Sequence, residues 1–174
     1  PCPSGRFGNE SGLGSEADCR PCPKGSYCST GANATECPAG RYGSDALLSD
    51  AQCSGACSAG YYCEEGTIDP YTGPCPAGTF LKTKGGTQLE DCQPCASGTY
   101  AANRGSDTCS QCPEGTHQTL TGATACEACE AGYACPAGTS YPIPASCDEG
   151  TYLPAGTSFS NNSDCVPCPV STWC

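Results

Sequence analysis

Cysteine placement constrains this chain more than any other feature. Ten of its twenty cysteines open one phrase, C-x-x-G-x-aromatic. The openings are CPSGRF from Cys2, CPKGSY from Cys22, CPAGRY from Cys37, CSAGYY from Cys57 and CPAGTF from Cys75. CASGTY from Cys95, CPEGTH from Cys112, CEAGYA from Cys129, CDEGTY from Cys147 and CPVSTW from Cys168 complete the set. One further cysteine follows each opener before the next begins. Cys19, Cys53, Cys92, Cys109, Cys126 and Cys165 close at 14 to 18 positions, and Cys28, Cys63, Cys135 and Cys174 close at six.

At 20 cysteines in 174 residues the chain has the density of a disulfide scaffold, which points to an oxidising compartment. Leu, Ile, Val and Phe together number only 14, too few for a conventional hydrophobic core. Order then has to come from bridges, which act chiefly by restricting the unfolded chain; a ring of about 16 residues contributes ~3 kcal/mol and one of seven ~2.3 kcal/mol. The expected fold is small and disulfide-rich: an elongated tandem array of short irregular β-hairpin units, with little helix and no conventional hydrophobic core. The units group as 1–53 (long, short, long), 54–126 (short, long, long, long) and 127–174 (short, long, short), in a segment of a longer repeat protein.

The glycine at the fourth place, kept in nine of ten copies with Ser171 as the exception, fits a turn that requires positive φ. The sixth place is aromatic in eight: Phe7, Tyr27, Tyr42, Tyr62, Phe80, Tyr100, Tyr152 and Trp173. A flat ring there can cover a disulfide and its turn. Long units end in turn-forming stretches such as GSEADC and GTQLEDC, whereas short units lead into the connectors STGANATE, EEGTIDPYTGP and PAGTSYPIPAS.

Sequence does not fix the connectivity of twenty cysteines. Their alternation suggests that each opener pairs with its own closer. The pairs are then Cys2–Cys19, Cys22–Cys28, Cys37–Cys53, Cys57–Cys63, Cys75–Cys92, Cys95–Cys109, Cys112–Cys126, Cys129–Cys135, Cys147–Cys165 and Cys168–Cys174. Local pairing makes each unit touch mainly its neighbours, as in a quasi-one-dimensional array.

A net charge of −11, with seven Lys and Arg in all, leaves no basic patch for phosphates or anionic lipid, so neither nucleic acid nor a membrane surface is an expected partner. No apolar run approaches the roughly 20 residues of a membrane span. The acidic pairs Glu64-Glu65, Glu90-Asp91 and Asp148-Glu149 read as solubilising, with weak calcium binding the lesser alternative. Three tripeptides fit the N-glycosylation acceptor, at Asn9, Asn33 and Asn161. Ser and Thr beside Pro and Gly leave room for O-linked sugar.

Residues 109–117, CSQCPEGTH, pose a metal question because Cys109 and Cys112 are spaced as zinc ligands and His117 is the sole histidine. Against its nine siblings, Cys109 is a closer, Cys112 an opener, and His117 a flat ring in the aromatic place. No metal or cofactor is expected, and a single histidine with no scaffold for a base gives no catalytic site.

The phrase CPAGTF…CQPCASGTY…CSQCPEGT resembles the ephrin-receptor-like cysteine-rich repeat, a relative of the TNF-receptor and EGF-like disulfide modules. The resemblance implies extracellular, non-enzymatic work and a first-to-second cysteine bridge in the long units. The short units, such as CPKGSYC, depart from the plainest form and keep a bridge like Cys28–Cys37 open as a rival. Two functions fit, both extracellular or at the cell surface. One is a stiff, glycosylated structural rod in a fibre, coat or appendage, self-associating or held by neighbouring extracellular proteins. The other is a stalk or ligand-binding stretch of a receptor ectodomain.

Overall fold

A computed structural model describes residues 2–8, 15, 18–29, 31, 33–159 and 162–169. Among them the chain folds as a row of small disulfide-stapled hairpins, giving nine two-stranded sheets. Among the described residues each repeat from the first to the ninth begins with a tight turn. The carbonyl at its second place accepts from the amide at its fifth, as in Arg6 N–H to Pro3 at 3.0 Å and Thr99 N–H to Ala96 at 3.0 Å. The fourth-place glycine is the third residue of that turn, with φ between 78° and 85° from Gly5 through Gly150. This is the type II geometry, which a residue carrying a Cβ enters only at a cost.

The fifth and sixth places form the first strand, and the second comes from the residues leading to the next opener. Arg6–Phe7 pairs with Arg20–Pro21, Thr99–Tyr100 with Ser110–Gln111, and Thr116–His117 with Glu127–Ala128, all antiparallel. The two-residue junctions between closer and opener are thus strands. Five second strands end in proline, at Pro21, Pro74, Pro94, Pro144 and Pro167. A two-stranded sheet has only edges, where the missing N–H of proline is tolerated.

The structure joins nine cysteine pairs among the described residues, each an opener with its own closer. They are Cys2–Cys19, Cys22–Cys28, Cys37–Cys53, Cys57–Cys63, Cys75–Cys92, Cys95–Cys109, Cys112–Cys126, Cys129–Cys135 and Cys147–Cys165. Their Cα–Cα separations run from 5.6 to 6.4 Å, the ordinary span of a bridge. Cys174, and with it the tenth pair, lies outside the described residues. The openers from Cys22 to Cys129 are at most 1% exposed. The bridges therefore stand where aliphatic side chains would stand in a larger domain.

The chain divides into two compact units. The first comprises Pro1–Pro76, Leu81–Gln93 and Gly105–Asp107, and the second Ala77–Phe80, Pro94–Arg104 and Thr108–Cys174. Within the first, each turn hooks onto the following repeat through its backbone. Gly5 N–H donates to Cys28 at 2.9 Å, Gly40 N–H to Cys63 at 2.8 Å and Gly60 N–H to Leu81 at 2.7 Å. Opener carbonyls accept in turn, that of Cys37 from Gly66 N–H at 2.9 Å and that of Cys57 from Gly85 N–H at 3.0 Å.

Within the second unit the same set recurs. Gly98 N–H donates to Gln118 at 2.7 Å, Gly115 N–H to Cys135 at 2.8 Å and Gly132 N–H to Leu153 at 2.7 Å, while Cys112 and Cys129 accept from Gly138 and Gly156. Next-opener amides return to the turn, Cys112 N–H donating to Gly98 and Cys129 N–H to Gly115, both at 2.9 Å. Repeat eight slips: Ala145, not Cys147, donates to the Gly132 carbonyl. The two residues inserted after Pro144 carry the opener past its usual place.

Contact does not stop at the adjacent repeat. A Cβ on Gly25 would run into the Gly66 carbonyl two repeats on, and one on Gly115 into that of Gly156. Turn glycines are needed there for close approach as well as for φ. The nearest-neighbour picture drawn from local pairing thus omits a layer of packing.

Candidate functional site

The seventh place of the phrase holds the most consistent interior position. From the second repeat to the ninth its occupants are Cys28, Gly43, Cys63, Leu81, Ala101, Gln118, Cys135 and Leu153, all buried, whereas Gly8 of the first repeat is only partly so. Each buried occupant offers its carbonyl to the preceding turn glycine: Gly25 N–H meets Gly43 at 2.8 Å and Gly78 N–H meets Ala101 at 2.8 Å. In the three described short units the slot is filled by the closing cysteine itself, so one residue makes the bridge and receives the neighbouring turn. Long units place their closer elsewhere and put a side chain or a glycine in the slot. Gln118 is the polar exception, and its amide is satisfied locally, donating to the Ala125 carbonyl and accepting from Leu120 N–H, both at 2.9 Å.

His117 enters its strand in the aromatic place and lies half-buried beside the bridge of the next repeat. Its Nδ1 is 3.8 Å from the Cys129 sulfur. The ring nitrogen and the sulfurs of Cys129 and Cys135 lie within 4.8 Å of one another, the one such cluster among the described residues. Those two sulfurs are bonded to each other, so neither is a thiolate free to ligate a metal. Cys109 and Cys112, which the sequence places beside His117, are turned into the bridges to Cys95 and Cys126. The histidine meets a disulfide from the repeat ahead of it.

The other rings serve their hairpins. The Tyr42 ring lies over its cross-strand partner Gly55, and the Tyr62 ring is so close to Gly73 that a Cβ there would strike it. Tyr61 and Tyr71 meet edge to face, with centroids 5.1 Å apart and planes at 83°. Tyr71 belongs to the connector EEGTIDPYTGP and is 59% exposed.

Among the acidic pairs, Asp91 has a defined structural task. Its Oδ2 accepts from the Thr87 amide at 2.6 Å, the Thr87 hydroxyl at 2.9 Å and the Gln88 amide at 3.3 Å. These bonds, those from Thr87 foremost, hold its carboxyl below the ordinary value of 3.8. Asn33 is exposed on the connector of repeat two, accessible to modification, whereas Asn9 and Asn161 lie outside the described residues.

A family model described as tyrosine-protein kinase ephrin type A/B receptor-like matches residues 78–129. Those residues are ephrin-receptor-like cysteine-rich sequence. The match runs from the turn glycine of repeat five to the opener of repeat eight, and this ephrin-receptor-like stretch, in a chain with nine bridges among its described residues, points to an extracellular or cell-surface type of module. Comparison with curated proteins gave no significant match. No helix among the described residues is long and apolar enough to cross a membrane.

Two features of this site escape a reading of the phrase alone, the buried seventh place and a second set of left-handed residues. That set is Gly31, Leu47, Gly66, Gly85, Gly105, Gly122, Gly138 and Gly156, with φ between 68° and 83°. From Leu47 onward, these residues donate to the opener carbonyl of the repeat before them. A glycine three or four positions after the seventh place, replaced only by Leu47 in this set, was the available signal.

Proposed function

We propose that this chain is part of an extracellular structural protein: a stiff, disulfide-stapled, glycosylated repeat rod built into a fibre, surface coat or appendage. The observation that carries this reading is the backbone hydrogen-bond set that recurs from turn to following repeat in each unit, with a bridge inside every hairpin. Main-chain bonds and disulfides tolerate varied loops, which suits a load-bearing or shielding array. In this reading the chain carries no catalytic site, binds no cofactor, bears glycans at Asn9, Asn33 and Asn161, and associates with itself or with neighbouring extracellular proteins.

A receptor-ectodomain stalk or ligand-binding stretch is the second reading, favoured by the ephrin-receptor-like match over residues 78–129. Electron microscopy of the native assembly separates the two. Regular filaments or a lattice whose repeat contains this segment support the structural reading. A dispersed ectodomain that binds a soluble protein at sub-micromolar affinity overturns it.

A further inference from the structure

His117 and the Cys129–Cys135 bridge form the one cluster of metal-ligating side chains among the described residues, and the bridge is what keeps it from being a site. The imidazole Nδ1 is 3.8 Å from the Cys129 sulfur. In a tetrahedral zinc centre, with Zn–N about 2.1 Å and Zn–S about 2.3 Å, a ligating nitrogen and sulfur stand about 3.6 Å apart. The histidine is therefore already at ligand spacing from one sulfur, and the Cys135 sulfur lies within 4.8 Å of both atoms.

Main-chain bonds hold the three residues without help from the bridge. His117 pairs with Glu127 in its own hairpin and forms a parallel bridge with Thr139. Cys129 N–H donates to the Gly115 carbonyl at 2.9 Å, Gly115 N–H to the Cys135 carbonyl at 2.8 Å and Gln118 N–H to the Thr139 carbonyl at 3.1 Å. The strand carrying the histidine is thus tied to the chain around both cysteines. Opening the S–S bond removes none of these bonds, so each of the three side chains keeps its backbone anchor.

Ligand chemistry and charge favour zinc. Two thiolates and a neutral imidazole are a donor set that suits Zn2+, and the two thiolates balance the charge of the ion. A centre without net charge can stay where these sulfurs are, with Cys129 1% and Cys135 0% exposed. His117 is partly exposed, and the fourth ligand position is left to water. The other described short units lack the third ligand: the aromatic place ahead of Cys22–Cys28 holds Phe7, and that ahead of Cys57–Cys63 holds Tyr42.

We infer that His117, Cys129 and Cys135 form a redox-gated zinc site, blocked while the bridge stands and formed once a dithiol reduces it. In that step the Cys129–Cys135 S–S bond breaks and the dithiol closes to its own disulfide, giving two electrons and two protons to the cysteines. Zinc then replaces the two thiol protons, which pass to solvent. The inference does not rest on the choice between fibre and receptor.

Limited reduction of the full, oxidised chain with dithiothreitol under argon tests it, with differential alkylation mapping which bridges open and Co2+ absorption reading the metal. One Co2+ per opened Cys129–Cys135 bridge is expected, with tetrahedral d–d and thiolate charge-transfer bands that Zn2+ abolishes. His117→Tyr, which restores the ring of sibling repeats, should open the same bridge and weaken Zn2+ binding about tenfold or more. Cys129→Ser combined with Cys135→Ser should add no such site, and amide exchange of that variant should keep Gln118 N–H protected by the main-chain frame. Equal Zn2+ affinity in His117→Tyr and the parent chain would show that thiols alone bind, and overturn the inference. A Cys129–Cys135 bridge that opens only when the whole chain unfolds, or Gln118 protection lost with that bridge, would overturn it as well.

Discussion

The amide of Gly132 donates to the carbonyl of Leu153 at 2.7 Å, and the Leu153 side chain is fully buried. One residue thus receives the preceding turn and fills the interior of its own repeat. Leu153→Ala empties that slot and should cost about 2–4 kcal/mol. Leu120→Ala, at a side chain 70% exposed, should stay within about 0.5 kcal/mol. Denaturant unfolding of the oxidised protein compares them. Equal effects would mean that the seventh place is not an interior position.

Turn glycines should differ according to what lies above them. In Gly115→Ala the new methyl carries the φ penalty of about 1–2 kcal/mol and also strikes the Gly156 carbonyl. In Gly132→Ala it carries the φ penalty alone, because nothing lies within 4 Å. Gly115→Ala is therefore expected to be the more damaging, read as a larger fall in midpoint temperature. A reversed order would remove close approach as a reason for glycine.

Leu47 tests the second left-handed set from the opposite direction. It holds φ 68° where its counterparts are glycine, its amide donates to the Cys22 carbonyl at 3.0 Å, and its side chain is 48% exposed. Leu47→Gly relieves backbone strain and forfeits little packing, so it should be neutral or stabilising by up to about 1 kcal/mol, although glycine also gains freedom in the unfolded chain. Destabilisation beyond about 1 kcal/mol would show that Leu47 is held for its side chain.

Asp91 gives a pH dependence with a definite sign. Its folded carboxyl titrates below its ordinary value of 3.8, so the clamp on Thr87 and Gln88 contributes fully above that pH and is lost as pH falls through the lower folded value. Amide-exchange protection of Thr87, corrected for intrinsic rate, should be high at neutral pH and fall only once the pH drops below the ordinary carboxyl value of 3.8, and Asp91→Ala should remove it throughout. Protection that ignores both changes would mean the carboxylate is not the clamp.

The alternation of openers and closers was legible in the sequence because cysteine and glycine each have a nearly single structural meaning in such a chain. So were the hairpin units and the left-handed turn at the fourth place. The buried seventh place was hidden by its chemistry, since Cys63, Gly43, Leu81, Ala101 and Gln118 share neither polarity nor size. What they share is a main-chain position, which side-chain patterns do not report. The second glycine set was blurred by spacing: Gly66 follows the seventh place by three residues and Gly85 by four. His117 stands in the strand at the aromatic place, and its contact with Cys129 depends on how one repeat meets the next, a relation that no stretch of nine residues contains.

Peptide mapping of the oxidised protein by mass spectrometry under non-reducing conditions tests most directly the claim that every described repeat, short or long, is stapled within itself. The three short units among the described residues decide it, because their closers also fill the buried slot. The account predicts loop-linked peptides containing Cys22–Cys28, Cys57–Cys63 and Cys129–Cys135. A cross-linked pair such as Cys28–Cys37, or free thiols at Cys129 and Cys135, would contradict it.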